Sequence, residues 1–156
     1  MVTINLQEEI RQARPLPRKT AEALLSILRT ATVLEHAENE ALRPHGITQT
    51  QYNVLRILHG AGKDGLCGRD IADRLISKVP DVSRLLDRME EMELLTRERD
   101  VADRRHVTAR ISAKGRRVMI QATPDLEALE RKRFKGLRPS VIASLVKALA
   151  TIREAG

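Results

Sequence analysis

Between residues 71 and 111 the apolar positions change period, and this change constrains the fold more than any other feature of the chain. Ile71, Ala72 and Leu75 recur at helical spacing in a short run that follows Cys67-Gly68. After Val79-Pro80, the positions Val82, Leu85, Leu86 and Met89 follow i, i+3, i+4, i+7, which draws one stripe along a second helix. Pro80 suits the first turn of that helix, where a missing N–H costs nothing. Beyond Leu94-Leu95 the period falls to two. Thr96, Arg97, Glu98 and Arg99 lead into a charged tip around Asp100 and Asp103-Arg104-Arg105, and Val107, Ala109 and Ile111 then alternate with Thr108 and Arg110. A short helix, a break, a longer helix and a hairpin with a charged turn make up a winged helix-turn-helix, a unit that reads DNA.

The flanking segments are helical by pattern. Residues 1–14 suit a short arm or helix, and Arg14-Pro15-Leu16-Pro17 breaks it. A long helix is expected over residues 18–41, with Leu24, Leu25, Leu28, Val33 and Leu34 on its apolar side, stopping at Arg43-Pro44-His45-Gly46. Thr48 is placed to cap a helix over residues 49–59 that carries Tyr52, Val54, Leu55 and Leu58. The glycines of residues 60–65 lack phosphate-loop spacing and read as a plain turn. Ser112 is a natural cap for a helix that runs through Val118, Met119, Ala122, Leu126, Leu129 and Phe134, kinked or restarted at Thr123-Pro124. A last helix carries Val141, Ile142, Leu145, Val146, Leu149 and Ile152 on one face. The first and last long helices bear more apolar surface than a small winged domain covers, so pairing with a second copy is expected.

The fold class is therefore mainly α: a winged helix-turn-helix over residues 45–112, with dimerisation helices added at residues 1–44 and 113–156. A core without Trp, and with Tyr52 and Phe134 as the sole aromatics, agrees, since Leu, Ile, Val, Met and Ala must fill it. The formal charge of +7 is unevenly placed. From Thr96 to Arg117 there are eight basic side chains against three acidic ones, most of the excess of the whole chain, which suits a polyanionic partner. One cysteine excludes an internal disulfide, and no apolar run is long enough for a membrane span or signal core. A cytoplasmic protein without a membrane partner is expected.

The run IADRL followed by PDVSRLLDRMEEMELLTRERDVADRRHVTARISAKG resembles the MarR family of dimeric bacterial transcription regulators. The most specific part is Asp100-x-x-Asp103-Arg104-Arg105 after the amphipathic helix, with Ile111-Ser112-x-x-Gly115 behind it. The resemblance is close over residues 45–117 and rests on length and pattern outside them. It implies a homodimer that binds double-stranded DNA, expected on a pseudo-palindromic operator, and that often responds to a small molecule. A repressor released by such a molecule is expected, because a dimer covering a promoter blocks polymerase without further contacts. No cofactor is expected, because no cofactor fingerprint appears.

On such a unit the second helix enters the major groove, and its polar face reaches base edges. The candidates there are Asp81, Ser83, Arg84 and Arg88, with Arg84 able to fork onto guanine and Asp81 to accept from cytosine. The competing reading pairs Arg84 and Arg88 with Asp87 or Glu91 as a solvated face. At the wing, Arg104 and Arg105 suit a narrow minor groove. The resemblance implies that Arg105 inserts while Asp103 braces the turn. Arg69, Lys78 and Arg97, with Arg99 and Arg110, are candidates for phosphate contacts.

Regulators of the resembling kind respond to small, often aromatic or anionic molecules held between the dimer helices and the reading unit. The candidates for such a site are His36, His45, Tyr52 and Arg56. Cys67 is a poor helix cap and more often an inert residue than a redox sensor. The four histidines are scattered without metal-ligand spacing, and no nucleophile-and-base constellation points to an enzyme. A winged-helix protein–protein adapter is the alternative, but it would be expected to carry a neutral or acidic wing, and this one is basic.

Overall fold

The computed structural model describes residues 6–14, 16–99 and 107–155. In chain order they form α1 (Leu6–Glu9), α2 (Lys19–Leu42), a 3-10 turn (Arg43–His45), α3 (Gln49–Ala61), β1 (Leu66–Cys67), α4 (Gly68–Arg74), α5 (Val82–Glu91), β2 (Leu95–Arg99), β3 (Val107–Ile111), α6 (Ala113–Arg133) and α7 (Pro139–Glu154). The arrangement is mainly helical with one small antiparallel sheet, as the change of period predicts.

Local chemistry sets the boundaries. Thr48 caps α3 in a reciprocal box: Gln51 N donates to Thr48 Oγ1 at 3.2 Å, and Thr48 N donates to Gln51 Oε1 at 2.9 Å. Ser112 caps α6 by accepting from Gly115 N at 2.9 Å. Cys67 precedes α4 and makes no side-chain cap bond, since its sulfur is a weak acceptor for the helix amides. The helix α5 ends in a Schellman turn, with Glu93 N donating to Glu90 O (2.8 Å) and Leu94 N to Met89 O (2.9 Å). Glu93 takes the left-handed φ of 60° that this turn demands and that glycine more often supplies.

The core is one cluster. The buried face of α3 (Tyr52, Val54, Leu55 and Leu58) meets Leu42 of α2, Ile71 of α4, Leu86 and Met89 of α5, Leu94 and Leu95 before the wing, and Met119, Ala122 and Leu126 of α6. In the sheet β3 is central, in the order β1-β3-β2, with Leu95 opposite Ile111, Arg97 opposite Ala109 and Arg99 opposite Val107.

Four details differ from the sequence reading. A third strand, β1, pairs Leu66 and Cys67 with Ala109 and Thr108; two residues are too few to show a period. Pro80 lies outside α5 rather than in its first turn, because Asp81 takes the cap position. Pro124 sits inside α6 without restarting it. It removes the donor to the Ile120 carbonyl, and Ile120 is exposed, so water can take the place of that bond. Phe134 caps the end of α6 instead of continuing it.

α6 passes close under the end of α5. Ser112 N donates to Leu94 O at 3.1 Å, and a Cβ on Gly115 would stand 2.0 Å from that same carbonyl oxygen. Backbone cannot yield as a flexible side-chain tip can. Gly115→Ala is expected to destabilise the fold by roughly 1–3 kcal/mol through overpacking, read as a lower denaturant midpoint. An unchanged midpoint would show that the helices part at no cost.

Candidate nucleic-acid interface

The apolar stripe of α5 is turned inward, with Leu86 and Met89 buried and Val82 and Leu85 packed against the core. The opposite face is necessarily the wet one. Ser83, Arg84, Asp87 and Arg88 are all exposed on it. Among the described residues no side chain pairs with the guanidinium of Arg84 or of Arg88. Lys78 is exposed in the connection between α4 and α5, and Arg69 is exposed near the start of α4. Arg69 and Ser83 also share the wall of a shallow groove of about 400 Å³, with Cys67 and Leu86 among its lining residues.

Two of the sequence candidates are occupied within the fold. The carboxylate of Asp81 accepts from Arg84 N at 2.9 Å and caps α5, which satisfies an amide that the helix leaves open. This local role was legible, since an Asp directly before an apolar helical run is a cap signal. Arg97 was not legible in this way. Its Nε and Nη2 donate to Glu90 Oε2 at 2.9 and 2.8 Å, its backbone N donates to Glu90 Oε1 at 3.0 Å, and Nη2 also pairs with Asp87 Oδ1. Only 23% of the Arg97 side chain remains exposed. Burial by itself lowers its pKa, but the hydrogen bonds and charges of Glu90 and Asp87 outweigh this and leave it raised.

On the neighbouring strand, Arg110 Nε donates to Lys63 O at 2.8 Å and Nη1 pairs with Glu98. It ties the sheet to the turn after α3. The candidates Asp103, Arg104 and Arg105 lie outside the described residues.

A second feature is a cleft of about 550 Å³ between α3 and α6, with Glu38 of α2 and Ile76 at its edges. Tyr52 and Arg56, two of the four candidates for an effector site, line it. The Tyr52 hydroxyl stands 2.9 Å from Thr123 Oγ1, which links its two walls. His36 and His45 do not line it. His36 is exposed on α2, and His45 Nε2 is held 2.7 Å from Asp125 Oδ2, so that ring joins the 3-10 turn to α6. The sequence reading missed His59 and the acidic wall of Glu38, Glu127 and Glu130. These residues come from three separate helices, and no spacing rule connects them.

Comparison with known proteins places these features in context. Residues 47–107, from the buried Ile47 to the second wing strand, match the model of the MarR family. An HTH-type transcriptional regulator of Bacillus subtilis, YkoM, is 32% identical over 134 residues, which is 85% of this chain and 80% of that protein. Among solved structures, MepR of S. aureus in complex with DNA superposes with a TM-score of 0.77 at 22% identity, over 85% of this chain and 96% of that one. BpsR of Bordetella bronchiseptica, whose DNA binding is regulated by 6-hydroxynicotinic acid, gives 0.78 at 20% identity, over 91% and 100%.

The acidic wall of the cleft has a measurable signature. Burial, and then the neighbouring carboxylates of Glu130 and Glu35, raise the pKa of Glu38, opposed by a hydrogen bond from Gln49. A raised carboxyl pKa means that the fold favours the protonated form. That contribution is complete below the ordinary value of 4.5 and is lost as pH rises through the folded-state pKa. Glu38→Gln is therefore expected to raise the melting temperature at pH 7, with the gain vanishing in acid. A gain of equal size at both pH values would contradict this account.

Proposed function

The chain belongs to the MarR family of transcription regulators, which bind DNA, and from that premise we propose that it is a homodimeric, sequence-specific repressor released by a small molecule. The observation that carries the DNA side is α5. It turns Ser83, Arg84 and Arg88 to solvent and leaves both guanidiniums without a partner among the described residues, and the sequence between strands β2 and β3 adds Arg104 and Arg105. Arg84 and Arg88 reach base edges in the major groove, where a bidentate arginine contact discriminates by roughly 1–3 kcal/mol. Arg105 enters the minor groove with Arg104 beside it, and Asp103 braces the turn. Arg69 and Lys78 take phosphates and fix the register.

The unpartnered apolar surface supports dimerisation. None of the residues of α7 is buried in a single chain. Val146 is 61% exposed and Ile152 56%, and on α2 Leu24 is 56% exposed. A two-fold partner that covers residues 1–44 and 113–156 would set two reading helices about 34 Å apart, one turn of the double helix. MepR and BpsR support DNA binding and ligand response as functions that this fold performs. In this chain the effector would occupy the cleft of Tyr52 and Arg56, whose volume lies in the range of small-molecule sites. It acts by binding more tightly to a helix spacing that does not fit DNA. A dimer lying across a promoter blocks polymerase without further contacts, which favours repression over activation.

The test is binding of the purified protein to its own upstream DNA and to a scrambled duplex across a salt series. Tight, sequence-preferring binding with a steep salt slope is expected. Arg84→Ala and Arg105→Ala should each weaken specific binding by about 1–3 kcal/mol while leaving the unfolding midpoint in place. Unchanged affinity in the second variant would remove the wing assignment. If a wider DNA selection also finds no preferred sequence, the protein–protein adapter becomes the better reading.

A further inference from the structure

The sequence places Arg97 among the phosphate contacts, and the geometry assigns it a different task. Arg84 and Asp87 stand three residues apart on α5, as do Arg88 and Glu91, and such pairs meet on a helix surface. Left to itself, Asp87 would be drawn to Arg84. Instead it pairs with Arg97 on β2, and Glu90 receives three hydrogen bonds from the same residue. The guanidinium forks onto one carboxylate and reaches a second, an arrangement that lysine cannot reproduce. The contact also crosses between elements, joining the outward flank of α5 to the first residues of the wing.

We propose that Arg97 is a positioning residue for DNA reading: it locks the base of the wing to the reading helix through Glu90 and withholds Asp87 from Arg84. The inference rests on α5 being the reading helix. It has two physical consequences. The angle between helix and wing is fixed before DNA arrives, so less ordering remains to be done on binding. The negative charge of the two carboxylates is halved where phosphates would otherwise meet it, and Arg84 keeps its donors free for a base. Arg97 itself has little left to offer a phosphate, since its Nε and Nη2 are engaged and its side chain is largely covered.

A four-protein cycle tests this assignment: wild type, Glu90→Ala, Arg97→Met and the double variant. Each is measured against its selected DNA site and a scrambled duplex, over a salt series, at a temperature well below its own unfolding midpoint. The readout is the ratio of specific to non-specific affinity, which a general loss of stability does not move. Each single variant is expected to lower the ratio roughly three- to tenfold, and the double variant no further, because both break one interaction. Glu90→Ala is the telling member. It removes a negative charge from the DNA side, so simple electrostatics predicts tighter binding to both duplexes and no loss of preference. Should Arg97→Met fail to fold, Glu90→Ala carries the test alone. A phosphate-contacting Arg97 would instead leave the ratio of Glu90→Ala intact and reduce the salt slope of Arg97→Met by about one, which overturns the assignment. A wild-type protein without any sequence preference would overturn the reading of α5 itself, and the positioning role with it.

Discussion

The close approach of two backbones, at Leu94 and Gly115, is the constraint on which the other elements depend. Within a few residues it joins the end of α5, the start of the wing and the start of α6. Ser112 serves both sides of the junction: its N donates to Leu94 O, its Oγ donates to Glu93 O at 2.6 Å, and the same oxygen accepts from Gly115 N. Lys114 adds an ion pair to Glu93 at 3.1 Å. Glu93 must then hold a left-handed conformation, at a cost of about 1–2 kcal/mol for a residue with a Cβ. The burial of Leu94 and Leu95 beside it offsets that cost. The start of α6 is thereby tied to the end of α5 through backbone as well as side chains.

That junction gives the cleft between α3 and α6 its mechanical setting. Its walls are α3, which anchors the core, and α6, which leads away from the wing. Tyr52 and Thr123 link the walls, and His45 with Asp125 links the 3-10 turn to α6 farther along. An occupant that spreads or draws together these helices would alter the placement of α5 without touching it. Glu38, Glu127 and Glu130 line the cleft together with Arg56, so the lining offers charge of both signs.

Electrostatics on the reading face follows a division of labour. The chain is basic overall, yet α5 carries acidic residues among its arginines. Where these carboxylates lie decides what the arginines can do. Asp81 is used within its own helix as a cap, and Asp87 and Glu90 are held by a residue from the next element. Among the described residues, the guanidiniums of Arg84 and Arg88 have no side-chain partner on this face. Partly exposed ion pairs contribute little to stability, so the arrangement is better understood as placing charge than as holding the fold together.

By itself, the sequence determined the order and type of the long elements, because each carries its own period, cap and stop: Thr48 and Ser112 at the starts of α3 and α6, the stripe of α5, and the alternation in β3. It also identified Ser83, Arg84 and Arg88 as the polar face, since a helix with one apolar stripe has only one face left to show. Tertiary structure alone decided what could not be read from spacing. It added the two-residue strand β1, carried α6 through Pro124, brought Tyr52 and Arg56 together without His36 or His45, and gave Arg97 the partners Asp87 and Glu90. The physical reason is common to all of these. Periodicity and capping are properties of neighbours along the chain, whereas the partner of a guanidinium, the fate of a lost helical hydrogen bond and the walls of a cleft are set by which elements the core brings side by side.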